Sequence, residues 1–119
     1  MNHIDTTILH NPRCSKSRTT LALLRDQGAD PVVREYLKDP LSKAELEILL
    51  EQLDQPASEL VRMKESREAG LAEKPAGMDT DAIASWLAAQ PQCLERPVVI
   101  ANGRALIGRP PEQVLALFQ

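Results

Sequence analysis

The chain begins with alternating apolar runs and amphipathic segments, a pattern that predicts an α/β fold. A β-like run at Thr6–His10 precedes a helical pattern over Ser15–Asp26, which ends at the helix-stop residue Gly28. Residues 31–37 are predicted as a second strand. This β-α-β order predicts two parallel strands joined by a right-handed crossover.

The middle of the chain carries helical patterns instead of strand patterns. Ser42 and Glu45 form a capping box that opens a second helix, and the leucines after it recur at helical spacing. Pro56 is predicted to begin a short third helix, and Asp79 to cap a fourth. Residues 64–77 are polar and broken by glycine and proline, so they are predicted as a loop, with a loop that includes one helical turn as the alternative.

The last part of the chain returns to strand patterns. Residues 97–101 are predicted as a third strand and Arg104–Ile107 as a fourth, joined by the hairpin signal Asn102-Gly103. A last helix is predicted to begin at Pro110 or Pro111. The complete order, β-α-β, helices, then β-β-α, predicts a thioredoxin-like sheet of four strands with a helical insertion between the second and third strands.

Length, charge and composition narrow the class of protein. A chain of 119 residues is expected to form a single domain, residues 1–119. The net charge of −3 and the single Trp, Tyr and Phe argue against a nucleic-acid partner. The sequence shows no signal peptide and no apolar run of about 20 residues, so we expect a cytoplasmic monomer without a membrane partner. Two cysteines exclude both a disulfide framework and a zinc-ligand set, and no metal is expected.

Cys14 is the candidate for chemistry, because it lies where the first strand turns into the first helix. The first helical turn offers free backbone N–H groups and the positive end of the helix dipole. Arg13, Lys16 and Arg18 are close in sequence, and His10 ends the strand. Such surroundings lower the pKa of a cysteine from about 8.5 to about 3.5–7.5. The alternative is a cysteine that packs as a small apolar residue, which the polar neighbours disfavour.

Four motifs occur in order along the chain. These are His10-Asn11-Pro12-x-Cys14-x-x-Ser17-Arg18, Leu60-Val61-Arg62 with Gly70-Leu71, Arg96-Pro97-Val98-Val99, and Arg109-Pro110. Through this ordered set, the sequence resembles the glutaredoxin-coupled arsenate reductase family over nearly its whole length.

The resemblance implies a role for each matching residue. Cys14 would be the nucleophile that attacks arsenate, and His10 would help to keep it ionised. Arg62, Arg96 and Arg109 would hold the oxyanion. The loop around the thiolate would be shaped by Asn11, Ser17 and Arg18. The cis-proline that faces the thiolate would be Pro97.

The chemistry of arginine agrees with that implied role, although the alternative for each arginine is a solvated surface charge. Arginine keeps its charge and presents a planar fork of donors that matches the oxygens of a tetrahedral oxyanion. Each of the three is predicted at the boundary of an element. Arg62 ends the short third helix, Arg96 precedes a strand and Arg109 follows one.

The resemblance also implies external reductants. Glutathione would act as co-substrate and release the precursor of arsenite, glutaredoxin would reduce the resulting mixed disulfide, and no cofactor would be bound. Ser17 stands where a Cys-x-x-Cys pair would have its second cysteine, which favours an external thiol. Cys93 is expected to pack at the end of the fourth helix, with a resolving role as the alternative. Two other functions remain open: a thiol oxidoreductase with another substrate, and a redox-sensing transcription regulator, which Ser17 disfavours.

Overall fold

A computed structural model describes residues 5–72 and 74–119, which form two compact units. The sheet unit comprises the described residues up to Asp39 together with Arg96–Gln119, and the helical unit is Pro40–Glu95. That residues 1–119 form one domain stays a prediction. The strands and α-helices are β1 (Thr6–His10), α1 (Ser15–Asp26), β2 (Val32–Glu35), α2 (Lys43–Gln52), α3 (Met63–Glu68), α4 (Thr80–Ala89), β3 (Val98–Ala101) and β4 (Arg104–Ile107).

The predicted fold class is confirmed by the mixed four-stranded sheet. The strand order is β2-β1-β3-β4, with β1 parallel to β2 and antiparallel to β3, and β3 antiparallel to β4. Asn102 and Gly103 both have positive φ values, 57° and 73°, as a tight hairpin turn requires. In the register of the sheet, Leu9 pairs with Val98, which pairs with Ile107. The C-terminal ends of β1 and β4 and the N-terminal end of β3 therefore lie side by side at the same end of the sheet.

An apolar cluster lies between the sheet and the helical segments of the sheet unit. Helix α1 and the 3₁₀ segment Pro111–Phe118 pack against each other, and the sheet contributes apolar side chains to the same cluster. Burying one such side chain stabilises a fold by about 1.5–3 kcal/mol. The buried members of the cluster are Ile8, Leu24, Val99, Ala101, Leu106, Val114 and Leu117.

Strand β2 is shorter than the predicted strand at residues 31–37. Pro31 has no N–H to donate to the sheet. After Glu35 the chain turns, because the N–H groups of Lys38 and Asp39 both donate to the Glu35 carbonyl oxygen, at 2.9 Å each. Val32 remains 65 % exposed on this edge strand.

The capping signals of the helical unit are confirmed. The Ser42 hydroxyl accepts the Glu45 N–H at 3.1 Å, and the Glu45 carboxylate accepts the Ser42 N–H at 2.9 Å. Asp79 caps α4 by accepting the Ala82 N–H at 2.7 Å. Helices α2 and α4 pack against each other, which gives this unit its apolar interior.

Residues 64–77 contain more helix than the predicted loop, or its alternative with one helical turn, allows. Helix α3 begins at Met63, and a 3₁₀ turn follows at Pro75–Gly77. The short helix buries only Ser66, so it has no apolar repeat that a periodicity search can detect. Its end is marked by Gly70, at φ +100°, and by the Leu71 N–H donating to the Ser66 carbonyl at 2.8 Å.

Two further helices differ from their predicted form. The short third helix is the 3₁₀ segment Ala57–Leu60, which ends before Arg62. The last helix is 3₁₀ over Pro111–Phe118. Among residues 5–72 and 74–119, no helix has the length and apolar composition needed to cross a bilayer.

Candidate active site

Cys14 is the N-cap residue of α1, as the strand-to-helix pattern predicts. Its backbone is extended, with φ −96° and ψ 122°, and its N–H donates to the Asn11 carbonyl oxygen at 3.0 Å. The backbone N–H groups of Ser17 and Lys16 interact with the sulfur, although they fall short of the geometry of a capping hydrogen bond. The sulfur is therefore partly exposed at the positive end of the helix.

Two arginines from distant parts of the sequence meet the same sulfur. Arg109 Nη2 lies 3.5 Å from Cys14 Sγ, and Arg109 Nε donates to the Arg96 carbonyl oxygen at 2.8 Å. The Arg96 side chain also interacts with the sulfur. Both arginines precede a cis-proline, Pro97 and Pro110. The sheet register explains this meeting, because the start of β3 and the end of β4 lie beside the end of β1.

The surroundings lower the pKa of the Cys14 thiol below its ordinary value. Partial burial alone would raise that pKa. It is outweighed by the Ser17 N–H, the Arg96 side chain, the Lys16 N–H and the charge of Arg109, which all favour the thiolate. The site therefore favours the thiolate form of Cys14 and places positively charged donors beside it.

A network of hydrogen bonds fixes the loop between β1 and α1. The buried Ser17 hydroxyl accepts the Asn11 N–H at 3.0 Å and lies 2.7 Å from His10 Nδ1. The Asn11 side-chain oxygen accepts the Arg13 N–H at 3.0 Å, and Arg18 Nη1 donates to the Pro12 carbonyl at 2.9 Å. The structure thus places the predicted loop residues in one network around the base of the cysteine.

His10 contributes to that network as a buried side chain. Burial lowers its pKa, and the charges of Arg25 and Arg18 lower it further, while Glu35 acts in the opposite direction. A lowered pKa favours the neutral imidazole near pH 7. His10 contacts the loop through the Ser17 hydroxyl, and its implied role in keeping Cys14 ionised stays a prediction.

Gly108 is a site residue that the sequence analysis missed. Its N–H donates to the Pro97 carbonyl at 2.8 Å. A Cβ at this position would lie 2.7 Å from Thr20 Oγ1 and 2.8 Å from Pro97 Cγ. Because Gly108 directly precedes Arg109, its close fit helps to position that guanidinium. A glycine between a strand and the Arg-Pro motif was the available signal.

Arg62 belongs to the helical unit, where it forms ion pairs with two carboxylates. Its Nε lies 2.9 Å from each carboxylate oxygen of Glu65, and its Nη1 lies 3.1 Å from Glu95 Oε1. It is the N-cap residue of α3, whereas the sequence analysis placed it at the end of the preceding helix. Its implied role in holding an oxyanion stays a prediction.

Cys93 lies in a 3₁₀ turn of the helical unit and is fully buried. This agrees with the expectation that it packs at the end of the fourth helix.

Among residues 5–72 and 74–119, no cluster of three or more His, Cys, Asp or Glu side chains could hold a metal ion. The groups that meet in the sheet unit are suited to nucleophilic attack by sulfur on an electrophile that carries negative charge.

Comparison with known sequences matches this chain to a described family and to individual relatives. The sequence profile of the ArsC family matches residues 9–117. The chain is 47 % identical over 113 residues to "Uncharacterized protein YfgD" of Escherichia coli K12, covering 92 % of this chain and 93 % of that one. It is 40 % identical over 114 residues to the protein named "Arsenate reductase" of Neisseria meningitidis serogroup A, covering 93 % and 96 %.

Comparison with solved structures agrees with the sequence match. A structure described as an arsenate reductase from Vibrio cholerae superposes with a TM-score of 0.86 and is 43 % identical. The match covers 98 % of this chain and 99 % of that one. The likeness therefore extends over the whole fold and includes the strands that carry the site.

Proposed function

The chain belongs to the ArsC family, and from this premise we propose that it reduces arsenate to arsenite, with Cys14 as the nucleophile. The observation that carries the proposal is Arg109 Nη2 at 3.5 Å from Cys14 Sγ, with Arg96 on the same sulfur. Relatives that are named arsenate reductase and match nearly the whole chain support the choice of substrate.

The two arginines of the sheet unit are proposed to bind the arsenate oxygens. Arsenate is a tetrahedral anion with several acceptor oxygens, and the guanidinium group offers paired donors at a fixed spacing. A hydrogen bond to a charged group contributes about 1.5–3 kcal/mol. Arg96 and Arg109 would thus hold the anion beside the sulfur that attacks it. Arg62 is included as a third oxyanion ligand, because the family resemblance assigns it that role.

The first step is a condensation without electron transfer. The Cys14 thiolate attacks arsenic, a sulfur–arsenic bond forms, and one arsenic–oxygen bond breaks. The leaving oxide takes up protons and departs as water, and arsenic remains As(V). Charge that develops on the oxygens during this step is stabilised by donors already in place around Cys14.

The second step is the reduction, and glutathione is proposed to supply the thiol. Its thiolate attacks the Cys14 sulfur, so that a sulfur–sulfur bond forms and the sulfur–arsenic bond breaks. The electron pair of that bond stays on arsenic, which passes from As(V) to As(III). The two sulfurs together lose the two electrons that arsenic gains, and Cys14 is left as a mixed disulfide with glutathione.

The third step regenerates the enzyme, and glutaredoxin is proposed to carry it out. A glutaredoxin thiolate attacks the glutathione sulfur and releases the Cys14 thiolate. An external thiol is needed because Ser17 stands at the position where a Cys-x-x-Cys pair would have its second cysteine. The lowered pKa of Cys14 makes its thiolate a better leaving group in this exchange than an ordinary cysteine would be.

The test is arsenite formation by purified protein supplied with arsenate, glutathione and a glutaredoxin. Cys14→Ser should abolish turnover, whereas Cys93→Ala, the matched control, should retain it. Arsenite formation by Cys14→Ser at the rate of the unsubstituted protein would refute the mechanism. Omitting glutathione, or replacing glutaredoxin by thioredoxin, tests the proposed reductants separately, because turnover should then be lost.

A further inference from the structure

The segment that carries Cys14 is positively charged, although the chain as a whole is acidic. The protein has a net charge of −3. Yet residues 6–25 contain no Asp or Glu, while they include Arg13, Lys16, Arg18 and Arg25. The first turn of α1 likewise has no acidic residue, and the helix dipole adds positive potential there. The segment around Cys14 therefore carries positive charge in a protein whose net charge is negative.

Two of these cations are available to an external partner. Arg18 is tied to the loop, because its Nη1 donates to the Pro12 carbonyl at 2.9 Å. The side chains of Arg13 and Lys16 are exposed and flank Cys14 in sequence. Within residues 5–72 and 74–119, neither side chain forms an ion pair with a carboxylate.

The reaction also needs a partner that the chain does not supply. Of the two cysteines, Cys93 is fully buried in the helical unit. The proposed function takes the reductant of the Cys14 adduct to be an external thiol. The exposed side chains of Arg13 and Lys16 belong to residues one and two positions from Cys14 in the sequence. A thiol that carries carboxylates would gain from both charges, whereas a neutral or cationic thiol would not.

We propose that Arg13 and Lys16 form a recognition site for a low-molecular-weight thiol that bears carboxylates, and so select the reductant of Cys14. The inference rests on the proposed function, because it assigns the binding of the second reactant to residues outside the oxyanion site. The chemical step is the sulfur–sulfur exchange already described. The two cations contribute by pairing with the carboxylates of the incoming thiol and by steering its approach.

The test uses no arsenate, so its failure and the failure of the proposed function are distinguishable. Cys14 is converted to a mixed disulfide with a neutral chromogenic thiol, pyridinethiol, and its release by an incoming thiol is followed by absorbance. The incoming thiols are glutathione and mercaptosuccinate, which are anionic, mercaptoethanol, which is neutral, and cysteamine, which is cationic. Each thiol is compared between variants, so its intrinsic reactivity cancels.

The informative variant is Arg13→Gln/Lys16→Gln. At low salt it should slow release by mercaptosuccinate and glutathione by about three- to thirtyfold, the range expected for losing two exposed ion pairs. Release by mercaptoethanol should stay unchanged, release by cysteamine should rise, and added salt should remove the differences. Arg13→Lys/Lys16→Arg, which retains both charges, should restore the rate with the anionic thiols.

The matched control is Arg67→Gln/Arg104→Gln. It removes the same amount of charge, from an exposed position of α3 and from the start of β4, and it should leave all rates unchanged. Equal slowing by this control would overturn the proposal, because net charge would then explain the effect. Unchanged release by mercaptosuccinate in the Arg13/Lys16 variant, or an equal loss with mercaptoethanol, would overturn it as well.

Discussion

The pKa of the Cys14 thiol is set by effects that act in opposite directions. Partial burial of Cys14 favours the neutral thiol, whereas two backbone N–H groups and two guanidinium groups favour the thiolate. The second set prevails, and the pKa is lowered. Removing one favourable partner should therefore shift the balance measurably without removing the nucleophile.

Arg109→Gln should raise the pKa of Cys14. The substitution removes the positive charge whose Nη2 lies 3.5 Å from the sulfur, so the thiolate becomes less favourable. The measurement is the pH dependence of alkylation by iodoacetamide, which reports the thiolate fraction. Arg104→Gln, on the same unit, should leave the midpoint unchanged, and an unchanged midpoint in Arg109→Gln would contradict the geometry.

His10 should make folding sensitive to acid. Burial lowers its pKa in the folded state, so the unfolded chain takes up a proton first as the pH falls. The stabilisation is complete above the unfolded-state pKa of about 6.5 and is lost as the pH falls through the lower folded-state value. Urea unfolding at about pH 7.5 and about pH 5 should show a smaller loss of stability in His10→Gln than in the unsubstituted protein. Equal losses in both proteins would contradict this account.

Prediction from sequence succeeded at the residue scale where the signal is local. The Cys14 position at the start of α1 followed from the change from strand to helix pattern, and the structure agrees. The cis bond before Pro97 agrees with what the family resemblance implies. The family resemblance implied that Arg109 meets Cys14 at the oxyanion. No local pattern predicts their 3.5 Å contact, because the two residues are 95 positions apart and only the sheet pairing brings them together.

At the scale of elements, the end of β4 depends on a residue with no side chain. Gly108→Ala should destabilise the protein by about 1–3 kcal/mol, because the new Cβ would overlap Thr20 Oγ1 and Pro97 Cγ. It should also slow alkylation of Cys14 by displacing Arg109. Gly77→Ala is the control, since a Cβ there meets no atom within 4 Å among the described residues. Equal unfolding free energies for the two variants, measured in urea, would contradict the close fit.

The start of α3 depends on the ion pairs of Arg62. Arg62, Glu65 and Glu95 are only 26 %, 19 % and 18 % exposed, so loss of the guanidinium leaves two poorly solvated carboxylates without their shared cation. Arg62→Gln should lower the free energy of unfolding by about 1–3 kcal/mol. Arg67→Gln, at an exposed position of the same helix, should change it little. A stable Arg62→Gln variant would show that these pairs contribute little to folding.

Elements were predicted well where burial imposes a repeat or a cap marks an end. The bounds of β1, α1 and β4 agree with the sequence prediction, and so does the capping box of α2. The bounds of α3 could not be predicted because its residues are almost all polar, and only one helical turn was considered there. Tertiary hydrogen bonds such as that from Trp86 Nε1 to Ser66 Oγ hold this helix in place of an apolar face. The last helix is 3₁₀, a distinction to which an apolar repeat over eight residues is insensitive.

At the scale of the whole molecule, the order of strands in the sheet explains why the site exists. Because β1 lies between β2 and β3, the end of β1 is beside the start of β3. The Asn102-Gly103 hairpin then brings the end of β4 to the same end of the sheet. The loop after β1 thereby supplies Cys14, and the two ends of the β3–β4 hairpin supply Arg96 and Arg109. The hairpin register could be predicted from its turn, whereas the pairing of β1 with β3 came only from the fold-level order of elements.

The central claim is that the Cys14 sulfur bonds directly to arsenic held beside Arg96 and Arg109. X-ray absorption at the arsenic edge, on protein incubated with arsenate in the absence of other thiols, tests it most directly. The account predicts a scattering contribution from sulfur at arsenic–sulfur bonding distance in the unsubstituted protein. This contribution should be absent in Cys14→Ser and smaller in Arg109→Gln. A spectrum of the unsubstituted protein that shows arsenic bonded only to oxygen would contradict it.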